Sequence, residues 1–238
     1  YHHPYISTHK HYWGQIHCAQ RWKHLTQTQP TSHIPLAALQ TPNGLILNDV
    51  QQAALIPILQ HRASIVCGGP GTGKTTLGAA LVNILLKQGL LPDEIVLTAP
   101  TGKAAQRLQW TMEQMLPDQT IPPMATLHRL LGYQPHTGMF SHNQQNPILT
   151  QWTLVDEASM IDLELMRTLL DAIPHDGHVV LLGDPKQLPA IQVGSVFQDL
   201  IHFQNNNSQP AWPVIQLQTN FRQPTTGPSQ NIATLAET

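Results

Sequence analysis

Four glycines, Gly68, Gly69, Gly71 and Gly73, run up to Lys74 and Thr75, and no other spacing in the chain speaks so plainly of chemistry. From Gly68 the residues fit G-x-x-x-x-G-K-[ST]. The context that the pattern needs stands on both sides: the β-branched apolar run Ser64 to Cys67 ahead of it, and an apolar helical period from Leu77 behind it. Glycines allow backbone N–H groups to turn inward around phosphate oxygens, and a helix beginning near Lys74 adds its positive N-terminal end at the same spot. In such a cradle Gly69, Pro70, Gly71, Thr72, Gly73 and Thr76 surround the phosphates. Lys74 reaches the β- and γ-phosphates, and the Thr75 hydroxyl ligates Mg2+.

A phosphate loop also needs an acid at the carboxyl end of a neighbouring buried strand, because ligands of an open α/β sheet sit outside that end. "TLVDE" supplies Asp156, which would hold Mg2+ through water, and Glu157, which would orient and deprotonate an attacking water. The pair points to hydrolysis rather than transfer to a second substrate, although both acids would also serve as caps of the helix that follows. "LLGDPKQLPAI" puts Asp184 and Gln187 beyond another apolar run. There Gln187 can donate a hydrogen bond toward a γ-phosphate, or be an ordinary loop glutamine. "QTNFRQ" offers Arg222 as an arginine finger that reaches back across a cleft. The absence of an N-K-x-D guanine signature speaks against GTP.

The elements that must position these residues alternate. A helix begins after "NGLILN", capped by Asn48; the phosphate-loop strand follows, then a helix from Thr76 to Gln88 closed by Gly89. "EIVLTAP", "QWTLVDEAS" and "HVVLLGD" read as buried strands, each separated from the next by a helical pattern. Strand and helix in alternation predict the α/β class, a mainly parallel central sheet flanked by helices. Residues 1–45 show no long apolar periodicity and read as the tail of an N-terminal region plus a connector. Residues 46–210 form the main domain, and the polar loop "HFQNNNSQPAWP" marks a boundary before "VIQLQTN", a further strand.

The 238 residues suffice for a sizeable core. Charged residues make up only 11% of the chain against a usual value of about 25%, so Gln, Asn, Thr and 14 His carry the surface. With net charge −2 there is no global basic footprint, and any nucleic-acid reading must rest on local motifs. No apolar run is long enough to span a bilayer and Tyr1 opens no recognisable signal peptide, so the expected location is cytoplasmic. Cys18 and Cys67 suggest neither a disulfide framework nor zinc, and the N-terminal histidines lack the spacing of metal ligands.

Taken in order, "GGPGTGKTT", "TAPTGKAAQRL", "TLHRLLG", "LVDEASMID", "LLGDPKQLPAIQVGSVFQDL" and "LQTNFRQ" resemble motifs I, Ia, Ib, II, III and IV of superfamily 1B DNA helicases of the RecD branch, and "HYWGQIHCAQRW" adds to the likeness. The resemblance implies RecA-like P-loop NTPase domains, with the chain stopping inside a second motor domain begun at 211–238, before motifs V and VI. It implies ATP and Mg2+ as cofactors. Gln51, in Leu47, Gln51 and Ala54 of an L-x-x-x-Q-x-x-A pattern, would contact the adenine. Pro100, Thr101, Gly102 and Lys103, together with Thr126 and His128, would contact single-stranded DNA; from the residues alone Thr101–Lys103 also suits a plain turn, and His128 a core position. Residues 132–151 fall where that branch carries an inserted pin hairpin. The implied activity is 5′ to 3′ translocation and unwinding within an exonuclease V complex beside RecB-like and RecC-like subunits, in double-strand break repair and recombination. Nuclease activity is expected in a partner, and the fragment alone is expected to be weakly active. An RNA-directed superfamily 1 helicase and a non-translocating nucleotide switch are the alternatives.

Overall fold

The computed structural model describes residues 9–27, 47–187, 196–206 and 212–217. Helix α1 (His9–Gln27) is followed by α2 (Asp49–Gln60), β1 (Ala63–Gly68), α3 (Lys74–Lys87), β2 (Ile95–Ala99), α4 (Gly102–Met115), β3 (Met124–Thr126) and the single turn α5 (Leu127–Leu130). A hairpin, β4 (Tyr133–Gln134) and β5 (Met139–Phe140), precedes β6 (Trp152–Val155), α6 (Leu163–Ala172), β7 (His178–Gly183), α7 (Val196–Asn206) and β8 (Val214–Leu217).

The main sheet has six strands in the order β3-β2-β6-β7-β1-β8, every neighbouring pair parallel. This is the α/β, RecA-like architecture expected, with helices on both faces. Side chains alternate across the pleat. Ile65, Val155 and Leu181 point to a core shared with α1, α6 and α7, while Val66, Leu154 and Leu182 point to one shared with α2 and α3. Parallel pairing puts all six carboxyl ends on one edge.

Local signals set the helix ends. Asn48 caps α2 in a reciprocal box with Gln51. Thr101 and Asp162 accept the Ala104 and Leu165 N–H groups at the starts of α4 and α6. Gly89, at φ 96°, closes α3 in a left-handed conformation.

Two boundaries drawn from the sequence need correction. The stretch 1–45 is not all tail and connector: its residues 9–27 form a helix of the main domain. Cys18, Trp22 and Leu25 lie on one helical face and are buried in the core with α6, where Gly14 comes so close to Leu163 that an added Cβ would stand 3.1 Å from its side chain. Asp171 of α6 fixes this packing, accepting from His17 at 2.8 Å and lying 3.4 Å from Arg21. The boundary at 210/211 is also too early. β8 pairs with β1, Ile65 opposite Val214 and Gly68 opposite Leu217, and so completes the same sheet. The rest of the proposed second domain, from residue 218 on, lies outside the described residues.

At the far edge of the sheet, His178 on β7 stacks on its cross-strand partner Trp152, with ring centroids 4.0 Å apart and planes 4° from parallel. Burial, reinforced by the Arg62 charge, pushes its pKa down to about 4. Below the ordinary value of 6.5 the unfolded chain therefore takes up a proton that the folded protein refuses, and stability falls as pH drops toward 4. The loss approaches about 1.4 kcal/mol per pH unit, on the order of 3 kcal/mol in all. Urea unfolding of wild type and His178→Phe at pH 7.5 and pH 4.5 should show the wild type losing more stability on acidification; equal losses would refute this account.

Candidate nucleotide site and adjoining strand edge

The carboxyl ends of β1, β6 and β7 meet at a cleft of about 480 Å³. Lys74 and Thr75 line it from the start of α3, Asp156 and Glu157 from the end of β6, and Asp184 and Gln187 from the end of β7. The register explains the convergence: Cys67 is opposite Gly183 and Val155 opposite Leu181, so the three loops leave the sheet side by side.

The phosphate loop holds its shape through its own backbone. Gly71 and Gly73 adopt φ of 78° and 87°, a region closed to most side chains. Gly68 is needed for a different reason: a Cβ there would lie 2.5 Å from Thr72 Oγ1 and 2.8 Å from the Leu217 carbonyl oxygen. Thr72 is buried and donates to the Gly69 carbonyl at 2.9 Å. Gly73 caps α3 without a side-chain acceptor. Lys74 Nζ donates to the Gly68 and Gly69 carbonyls at 2.6 and 2.9 Å. Pro70 and Thr76 also line the cleft.

Burial pushes the Lys74 ammonium below its ordinary range, opposed by the charges of Asp184 and Asp156. Asp156 moves the other way: burial raises its pKa, the neighbouring Glu157 adds to the rise, and the Glu157 N–H that it accepts at 2.9 Å opposes it. A hydroxyl and a half-buried carboxylate are oxygen donors suited to a hard divalent cation, so Thr75 and Asp156 fit the Mg2+ expected there. Glu157 itself sits at φ 54°, the one non-glycine residue with positive φ among those described. Ser159, buried behind it, donates to Gln187 Oε1 at 3.4 Å and ties the β6 and β7 loops together.

Gln51 lines the same cleft but is only 2% exposed, and its amide has structural partners. Its Oε1 accepts the Asn48 N–H at 3.1 Å and its Nε2 donates to the Gly73 carbonyl at 3.4 Å. Gln51 therefore braces the phosphate loop against α2, a role the sequence pattern did not suggest. Arg222 lies outside the described residues.

The strand-contact candidates gather beside this cleft. β3, a strand that sequence periodicity missed because it is three residues long, pairs with β2 so that Ala99 is opposite Thr126. Pro100–Lys103 and Thr126–His128 consequently leave adjacent strands at the same edge. Thr101, Gly102 and Lys103 are exposed at the start of α4, and Thr126 caps α5 by accepting the Arg129 N–H at 3.3 Å. His128 is exposed rather than a core residue, and it packs with Tyr133 and Phe140 of the β4–β5 hairpin at centroid distances of 5.4 and 5.8 Å.

A family model described as an AAA domain matches residues 51–193, more than half of the chain. The chain belongs to that family. Among curated proteins it is 41% identical over 165 residues to RecBCD enzyme subunit RecD of Mycolicibacterium smegmatis, covering 63% of this chain and 30% of that protein. It is 36% identical over 168 residues to RecD of Haemophilus influenzae, covering 65% and 26%, and 37% identical over 182 residues to the ATP-dependent RecD2 DNA helicase of Deinococcus radiodurans, covering 76% and 22%. The resemblance to the RecD branch thus holds along most of the chain, which spans less than a third of the length of these relatives. In fold it is similar to the Pif1 helicase of Candida albicans, with TM-score 0.54 and 24% identity over 81% of this chain and 44% of that one. No helix among the described residues is long and apolar enough to cross a membrane.

Because burial makes the Asp156 charge costly, Asp156→Asn should stabilise the protein above the raised carboxyl pKa, and the gain should vanish once falling pH protonates the native aspartate. Thermal unfolding between pH 4 and pH 8 checks this, and a lower Tm at every pH would contradict it.

Proposed function

We propose that this chain is motor core of an ATP-dependent DNA helicase subunit that moves 5′ to 3′ on single-stranded DNA in an exonuclease V complex, with RecB-like and RecC-like partners, in the cytoplasm. One observation carries the reading: the phosphate cradle with its facing acids, on β1, β6 and β7, shares a sheet edge with the two candidate strand contacts on β2 and β3. A nucleotide site alone would suit a switch; the adjoining row of helix starts, with Lys103 and His128 exposed, favours a motor that grips a strand.

In this reading ATP would lie along Gly69–Thr76 with Lys74 on its β- and γ-phosphates, and Thr75 and Asp156, the latter through water, would hold Mg2+. The bound metal would supply charge neutralisation at the phosphates. Glu157 takes the proton of the attacking water, and Gln187, tied to Ser159, senses the γ-phosphate. Arg222 completes the charge stabilisation as an arginine finger. The hairpin Tyr133–Phe140 acts as the pin that parts the duplex. Gly138 turns it at φ 68°, Met139 is exposed beside the turn, and the aromatic contacts with His128 anchor its base to the strand-gripping edge.

ATPase and unwinding assays on the full-length protein with its partners test this reading. Oligo(dT) should stimulate wild-type turnover more than oligo(U). Lys74→Ala should abolish ATP binding, and Glu157→Gln should retain binding while losing at least 100-fold in kcat, within the usual range for a general base. Shortening the turn at Gly138 should spare ATPase and stop strand separation. Turnover indifferent to any nucleic acid would leave the switch reading standing; stronger stimulation by oligo(U) would favour an RNA helicase.

A further inference from the structure

We propose that Arg107 is a positioning residue that makes hydrolysis respond to the strand: it holds the Glu157 carboxylate when no strand is bound, and a strand phosphate at the start of α4 draws it away. The inference rests on the helicase reading above and adds to it the link between the two halves of the sheet edge.

The geometry is that of one helix touching both sites. α4 begins at the strand-contact candidates Thr101–Lys103, and one turn later Arg107 Nη1 lies 3.9 Å from Glu157 Oε1 while lining the nucleotide cleft. Lys103 and Arg107 are i and i+4, so both cationic heads project from one face of the helix about 5–6 Å apart at Cβ. Both are exposed, the Arg107 side chain to 63%. A phosphate seated on Lys103 is therefore within the sweep of the guanidinium.

The existing contact is weak enough to be exchanged. At 3.9 Å it is an ion pair without a hydrogen bond, largely in water, where such pairs are worth little. A phosphate offers the guanidinium a charge-assisted, two-pronged partner, which is the stronger choice. Glu157, in contrast, is held by its backbone. Its φ of 54° and ψ of 38° direct the carboxylate into the cleft from a conformation that non-glycine residues rarely adopt. A cation resting beside that carboxylate competes with the attacking water for its oxygens. Removing the cation frees the base, and only the side chain of Arg107 has to move.

The experiment compares wild type, Arg107→Gln and Arg107→Lys in the full-length protein, with and without oligo(dT). Arg107→Gln should raise strand-free kcat up to about fivefold, leave KM for ATP unchanged and leave stimulated kcat near wild type, so that the stimulation ratio collapses. If Arg107 moves to a phosphate, the slope of log K against log salt for oligo(dT) binding should shrink by about 0.7, one single-strand phosphate contact. Arg107→Lys, which keeps the charge, should restore both readouts. Equal falls in kcat with and without oligo(dT) would assign Arg107 to the nucleotide instead and overturn the proposal, as would an unchanged ratio and slope. Wild type that ignores oligo(dT) would overturn the helicase reading itself.

Discussion

Parallel pairing of β1, β7 and β6 is the constraint on which the rest depends. Each strand ends at the same edge, and the residue just past each end carries chemistry: the phosphate loop after Gly68, Asp156 after Val155, Asp184 after Gly183. A slip of one residue in register would turn alternate side chains to the wrong face and bury or withdraw these groups. The close fit at this edge enforces the register. A Cβ on Gly68 would strike the β8 backbone, and one on Gly183 would stand 2.7 Å from the Phe197 ring.

The cleft is less stable than it would be with inert residues. Burial drives Lys74 and Asp156 toward their neutral forms, and Glu157 holds a strained backbone. Groups under such tension gain most from a charged ligand, since a polyphosphate with its metal ion restores the partners that burial removed. Rigidity comes from around the site: Gln51 braces the loop against α2, Ser159 ties Gln187 to the β6 loop, and the Asp171 cluster locks α1 onto α6.

Much of this was legible in the residues. Fixed spacings such as Gly68–Thr75 and Asp156–Glu157 encode local geometry, and apolar runs of four to six residues encode buried strands. What escaped was set by tertiary packing. The buried face of α1 rests on Cys18, Trp22 and Leu25, thinly spread among polar residues that hide the period. β3 is too short for alternation to register, and it forms because β2 offers an open edge. β8 read correctly as a strand, but nothing local says which sheet it joins. Gln51 matched a pattern, yet only the fold reveals that its amide is engaged by Asn48 and Gly73. Arg107 carried one signal, its position four residues after Lys103, without meaning until Glu157 was seen beside it.

In the proposed reading the sheet edge carries two adjoining sites, nucleotide on β1, β6 and β7 and strand on β2 and β3, with α4 between them. A crystal structure of the full-length protein with Mg2+ and a non-hydrolysable ATP analogue tests the foundation of this account most directly. It should show the triphosphate along Gly69–Thr76, Lys74 turned from the loop carbonyls to the β- and γ-phosphates, and the metal between Thr75 and a water on Asp156. A nucleotide bound away from this loop, or a metal with no link to Asp156, would contradict it.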